Sequence, residues 1–163
     1  MKRLLIVYQS MTGAAEQLAA AAAAGARDEP GVETRLVRAA SAGVDDVLAA
    51  HGYLFATPEN LATMAGLMKD FFDRVYYPAL DRVNGRPYAT IIAAGTDGMG
   101  AARQVQRIAT GLRLREVAPP LVIRNGAQTP EAILAPKTVP ASELELARDL
   151  GAALAAGLAS GIF

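Results

Sequence analysis

Two hydroxyls and a glycine stand close together near the start of the chain, in Gln9-Ser-Met-Thr-Gly-Ala-Ala-Glu16. Ser10 and Thr12 bring hydroxyl donors, Met11 separates them, and Gly13 removes a side chain at the turn. Ala14 and Ala15 leave the first backbone N–H groups of a following helix uncovered. A helix N-terminus has N–H groups without an intrahelical partner and the positive end of the helix dipole, so it suits an anion. The loop has neither the lysine of G-x-x-x-x-G-K-[ST] nor a G-x-G-x-x-G pattern. No Lys or Arg occurs between Tyr8 and Gly25. A monophosphate held by hydroxyls and amides therefore fits better than a triphosphate, whose extra charge calls for a cation and a metal. The alternative is a plain strand-to-helix turn in which Thr12 only caps.

Other chemistries have less to work with. The absence of cysteine excludes disulfides, thiol nucleophiles and zinc-thiolate sites. A Ser-His-Asp triad or an H-E-x-x-H site would have to use the single histidine, His51, which reads as a helix-end or packing residue. No catalytic side chain and no metal site are expected. With 16 Lys and Arg against 16 Asp and Glu the formal charge is zero, which argues against a nucleic-acid partner. At 163 residues and 52% hydrophobic content the chain fits one domain, 1–163, with a real core. Lys2 and Arg3 precede too short an apolar run for a secretory signal, and the apolar end from Gly151 to Phe163 is too short to span a bilayer. The expectation is a soluble cytoplasmic protein without a membrane partner.

The elements that must position the loop follow from periodicity. Leu4 to Tyr8 is a nearly continuous apolar run, as in a parallel strand buried on both faces. Further strands are expected at Val32 to Arg38, Gly52 to Ala56, Tyr88 to Ala94 and Val117 to Ile123, the last with Pro119 and Pro120 at its start. Between them, helices are expected after Ala14, from Asp45 to Ala50, from Met64 to Tyr76 and from Ala101 to Leu112, and a last one capped by Ser142 with Glu145. On the third, Lys69 with Asp73 and Asp70 with Arg74 have i,i+4 spacing for ion pairs on a solvated face. Arg103 and Arg107 share the solvated face of the fourth. Thr57 to Thr63 and Gly95 to Gly100 read as loops, and the proline-bearing stretch Asn125 to Ala141 is long enough to be functional or interface-forming. Five alternations of strand and helix give an α/β fold with a five-stranded parallel sheet, order 2-1-3-4-5, and helices on both faces. In that order the loops after strands one, three and four converge.

With these loops in place the chain resembles the flavodoxin-like superfamily, a three-layer sandwich, and within it the NAD(P)H-dependent FMN reductase and NAD(P)H:quinone oxidoreductase branch. Thr57-Pro58 followed by Met64-Ala-Gly-Leu-Met-Lys69 and Phe71-Phe-Asp-Arg74 is similar to that branch's T-P-x-x-x-x-x-M-x-G-x-x-K-x-F-x-D-R segment, and Asn84-Gly-Arg-Pro87 is similar to its lead-in to strand four. The resemblance implies FMN, with its phosphate on Ser10, Met11, Thr12, Gly13, Ala14 and Ala15. It implies an isoalloxazine between Pro58-Glu59-Asn60-Leu61 and Thr96-Asp97-Gly98-Met99-Gly100, lying against Leu61 and Met99 with backbone N–H groups free to meet it. Two departures stand out: Ala15 where many flavodoxins have a final Thr, and Leu61 where the branch often has Phe.

The implied activity is hydride transfer from NAD(P)H, the electron donor, with reduction of a small-molecule acceptor, a quinone or a flavin. A flavodoxin-type electron carrier and a flavodoxin-fold binding module that has lost its flavin are the alternatives. The branch usually pairs subunits, so a homo-oligomer is expected, built by Met64 and Met68, by Tyr76-Tyr77-Pro78 and by Asn125 to Ala141.

Overall fold

Burial on both faces organises the central sheet. The computed structural model describes all residues from Met1 to Phe163. In chain order the elements are β1 (Lys2–Tyr8), α1 (Ala14–Arg27), β2 (Val32–Arg38), α2 (Val44–Ala49), β3 (Gly52–Asn60), β4 (Thr63–Met64) and α3 (Gly66–Ala79), followed by β5 (Pro87–Ala94), α4 (Met99–Gly111), β6 (Arg115–Glu116), β7 (Leu121–Arg124), α5 (Pro130–Leu134) and α6 (Ala141–Ser160). Every residue of β5 is buried, as are Leu4 to Val7 of β1. These apolar runs occupy the middle of a parallel sheet, where water reaches neither face.

The strands lie in the order β2-β1-β3-β5, and the last position is shared by β6 and β7, both parallel to β5. This is the flavodoxin-like order 2-1-3-4-5, with the fifth strand in two pieces rather than continuous from Val117 to Ile123. Pro119 and Pro120 lie in the gap and have no N–H to give to the ladder, so pairing stops after the Val117 N–H bond to Tyr88 O and resumes at Leu121. Alternate residues of β1 feed two cores. Leu4 and Ile6 pack with α1 and α6, whereas Leu5 and Val7 pack with α2, α3 and α4. On the first face α1 and α6 approach very closely, because a Cβ on Gly25 would strike the Arg148 carbonyl and one on Gly151 the Ala22 carbonyl.

Several boundaries differ from the sequence expectation. Thr57 to Thr63 is a hairpin, not a loop: β3 continues through Pro58, which registers with Ala93 of β5, and turns at Leu61-Ala62 into the antiparallel β4. The bias of a residue before proline toward extended backbone favours this continuation at Thr57. Leu61 and Ala62 both have positive φ, 52° and 63°, which glycine or asparagine adopts at lower cost. Helix α3 therefore starts at Gly66 and runs past Tyr76 to Ala79. Helix α6 starts at Ala141 behind Pro140, so Ser142 lies inside its first turn and caps nothing. The two α3 pairs form, Lys69 to Asp73 at 2.6 Å and Arg74 to Asp70 at 2.8 Å. Arg74 also donates to Ala39 O and Ala42 O, tying α3 to the segment after β2.

Candidate functional site

The C-terminal ends of β1, β3 and β5 open into one cleft of about 440 Å³, counted to its open mouth. From the β1 side Ser10, Met11, Thr12, Ala14 and Ala15 line it, and from β3 come Pro58, Glu59 and Asn60. Its floor is Ala93, Ala94 and Gly95 at the end of β5.

The loop after β1 is held open by its own bonds. Gly13 is the N-cap of α1 at φ 104°, a left-handed conformation that suits glycine, and its N–H donates to Ser10 Oγ at 3.1 Å. No side chain caps this helix, so Thr12 does not take the capping role. The N–H groups of Met11, Thr12, Ala14 and Ala15 find no acceptor within the chain. A cluster of unpaired donors at a helix N-terminus, beside the Thr12 hydroxyl, has the chemistry that suits an anion.

The corresponding terminus of α4 is occupied. Glu59 reaches across from β3, and its carboxylate accepts from Gly98 N at 2.9 Å and Ala101 N at 3.1 Å. Met99 N donates to Asp97 Oδ1 at 3.3 Å, and Asp97 O accepts from Arg124 Nε at 2.7 Å. The hairpin turn rests on the same helix end, where a Cβ on Gly100 would strike the Ala62 carbonyl. The N–H groups of Gly98 and Met99 are thus engaged and are not among the free backbone donors expected near the ring. The structure brings the first loop, Pro58, Glu59 and Asn60 together, and leaves Leu61, Thr96, Asp97, Gly98, Met99 and Gly100 outside the cleft wall. Leu61 is 99% exposed at the hairpin tip, beside a separate groove shared with Thr63, Gly66 and Lys69.

A fourth wall has no counterpart in the site expected from sequence. The segment after β7 crosses the cleft and contributes Asn125, Ala127, Ile133 and Lys137. Lys137 N donates to Thr12 O at 2.8 Å. Gln17 fastens the same stretch to α1, donating to Lys137 O at 2.8 Å and to Gly13 O at 2.9 Å while accepting from Val139 N at 3.0 Å. The signal available in sequence was the length of the segment and its single cation, Lys137, but not the loop it crosses.

Ionisable groups with shifted affinities lie at the other end of the sheet. His51 follows α2 and pairs with the start of β1, its Nδ1 accepting from Arg3 N at 3.1 Å and its N–H donating to Arg3 O at 2.8 Å. Burial, then the charges of Lys2 and Arg86, hold its pKa below the ordinary histidine value. Burial raises the hydroxyls of Tyr53 and Tyr88, the latter further against Glu116. No group of three or more His, Cys, Asp or Glu gathers as a metal site, and no helix is long and apolar enough to cross a membrane.

The family model for NADPH-dependent FMN reductases matches residues 38–128. The chain belongs to that family. The match runs from the end of β2 to the segment beyond β7 and leaves out the loop after β1, whose case rests on its own geometry. A flavodoxin of Aquifex aeolicus is 31% identical over 105 residues, 64% of this chain and 56% of that protein. An NAD(P)H dehydrogenase (quinone) of Acidithiobacillus ferrooxidans is 32% identical over 94 residues, 45% of this chain and 47% of that one. The chain thus spans about half the length of these curated relatives. The crystal structure of a WrbA-like flavodoxin from Agrobacterium tumefaciens superposes with a TM-score of 0.74 at 16% identity, covering 99% of both chains, a likeness of fold. In this FMN reductase family member the first loop has the chemistry a flavin phosphate calls for, unpaired amides and two hydroxyls lining an open cleft.

Proposed function

We propose that the protein is an FMN-dependent oxidoreductase that takes hydride from NADH or NADPH and reduces a quinone or flavin acceptor. The observation that carries this reading is the ring of unpaired amide donors at the N-terminus of α1, opening into a cleft in a chain of the FMN reductase family. FMN, when bound, supplies the hydride and electron chemistry, so no side-chain acid or base is required. Ser10, Met11, Thr12, Gly13, Ala14 and Ala15 are assigned to the phosphate; Pro58 and Asn60, with Ala93 to Gly95 beneath, shape the space for the ring. Glu59 braces the hairpin against α4 instead of offering its charge to the cleft. Leu61 and Thr96 to Gly100 are assigned to the outer rim.

We place the enzyme in the cytoplasm, as one domain over residues 1–163 and as a homo-oligomer. The subunit contact expected at Met64 and Met68 is corrected, because these side chains are 3% and 0% exposed and belong to the core. Tyr77, 79% exposed, and Leu134, 65% exposed, remain as candidates. Tyr76 instead packs on Gly111.

Purified protein mixed with FMN is expected to turn yellow, to bleach anaerobically with NADH or NADPH, and to recover colour on addition of a quinone. Absence of saturable FMN binding would overturn the reading and leave the flavin-free module, which Ala15 and the occupied α4 terminus favour. Tight FMN binding without reduction by either nucleotide would leave the carrier, the activity suggested by the name of the Aquifex relative.

A further inference from the structure

We propose that Lys137 is the counter-charge of the phosphate site and makes it select a flavin bearing a phosphomonoester over uncharged riboflavin. The proposal rests on the flavin reading above and adds a cation to a loop that has none of its own. A phosphomonoester carries about −1.5 to −2 charges at neutral pH, whereas a helix N-terminus offers only about +0.5. Hydroxyls and amides solvate the remainder but do not neutralise it. Among the residues lining the cleft, Lys137 is the one cation.

Its backbone is fixed for that task. Lys137 N bonds to Thr12 O, and Lys137 O is held by Gln17, which is itself bonded to Gly13 O. Gly13 lies directly under the crossing, since a Cβ there would sit 3.7 Å from Lys137 O. The Cα of Lys137 is therefore tied to the loop that would receive the phosphate, at both of its peptide groups.

The side chain is uncommitted in charge. Lys137 Nζ donates to the carbonyls of Ala132 at 2.8 Å, Ile133 at 2.9 Å and Ala135 at 2.5 Å, around the end of the five-residue α5. All three acceptors are neutral, and no carboxylate pairs with the ammonium. These carbonyl bonds satisfy the ammonium hydrogens but leave its charge unneutralised, which a phosphate oxygen, as a charged acceptor, would neutralise. A lysine can exchange one set of acceptors for the other by rotating its flexible stem, with its Cα in place.

The experiment compares FMN and riboflavin titrated into apo-protein by fluorescence quenching, in the wild type, Lys137→Met and Lys137→Arg. Expected is at least a tenfold weaker FMN affinity in K137M, an unchanged riboflavin affinity, and recovery of FMN affinity in K137R. Rising salt should weaken FMN binding to the wild type and leave riboflavin binding level. An FMN to riboflavin ratio unchanged in K137M, whether both affinities hold or both fall together, overturns the proposal. Should K137M not fold, the wild-type salt series decides, and an FMN preference indifferent to salt overturns it. Wild-type protein that binds FMN and riboflavin equally removes the counter-charge but keeps the flavin site; wild-type protein that binds neither removes both.

Discussion

Two helices begin at the same edge of the sheet, and they treat their N-termini in opposite ways. At α1 the cap is a bare glycine and the surrounding amides are unpaired; at α4 the cap is also a glycine in the left-handed region, but Glu59 fills the amides with an internal carboxylate. Both termini have the same dipole and the same orphan donors. What separates a ligand site from a structural joint here is whether the chain carries its own anion to the spot. The α4 terminus uses its donors to fix the β3–β4 hairpin, while the α1 terminus leaves its own unpaired within the chain.

The contrast can be broken most severely by giving α1 what α4 has. Thr12→Glu places a carboxylate beside the open amides, and FMN affinity is expected to fall by at least about 100-fold, or roughly 2.7 kcal/mol, in a fluorescence titration. The melting temperature should hold or rise, since an acidic group near a helix N-terminus is favourable. An FMN affinity that survives this substitution would show that the phosphate goes elsewhere.

The converse change empties α4. Glu59→Ala removes a carboxylate that accepts two backbone N–H bonds, and each hydrogen bond to a charged group is worth about 1.5–3 kcal/mol. A loss of about 2–4 kcal/mol in urea unfolding is expected, with Glu59→Gln losing less because its amide oxygen still accepts. A stability unchanged in E59A would mean that the joint adds nothing.

A smaller effect sharpens the role of the hairpin as a mechanical part. Replacing Leu61-Ala62 by Asn-Gly supplies residues that tolerate the observed positive φ and should raise stability by about 1–2 kcal/mol, read in the same unfolding curves.

The smallest expected effect lies at the opposite edge of the sheet and serves as a control for both helix ends. His51 has its pKa lowered in the fold, so the unfolded chain takes up the proton more readily. Its contribution is complete above the ordinary histidine value near 6.5 and is lost as pH falls through the lower folded value. A modest drop in melting temperature below that pH is expected, and His51→Gln should flatten it without touching FMN binding.

How far the sequence anticipated this architecture depended on whether the determinant was local. The order of the sheet, the first loop and the two α3 ion pairs were legible, since apolar runs, small residues and i,i+4 spacing are properties of short windows. The Glu59 joint was not, because its partners are backbone amides of Gly98 and Ala101, which have no side-chain signature. The crossing of Lys137 over Thr12 was not legible for a related reason: it depends on a bond from Gln17 across 120 residues. Met64 and Met68 fit one helical period in the sequence, but Met64 lies in β4 ahead of the helix and Met68 on the inward face of α3, so both are buried for reasons that period does not carry. The hairpin at Leu61-Ala62 was hidden because its turn residues are not the glycine and asparagine that usually mark one.

The glycine contacts between α1 and α6 also set an order of events during synthesis. Helix α1 is complete at Arg27, but the helix that covers it starts at Ala141, and a ribosome adding 5–20 residues per second takes about 6–23 s to reach it. Throughout that interval the strip of α1 that α6 will cover, around Ala22 and Gly25, stays in water, while its other inner residues have the sheet to pack on. Apart from Leu18, the buried side chains of α1 are the alanines Ala15, Ala19, Ala22, Ala23 and Ala26, which favour the helix without a partner and expose little apolar area for other nascent chains to grip. The same smallness that lets α6 approach to backbone contact gives the unfinished chain a surface it can leave uncovered while it waits.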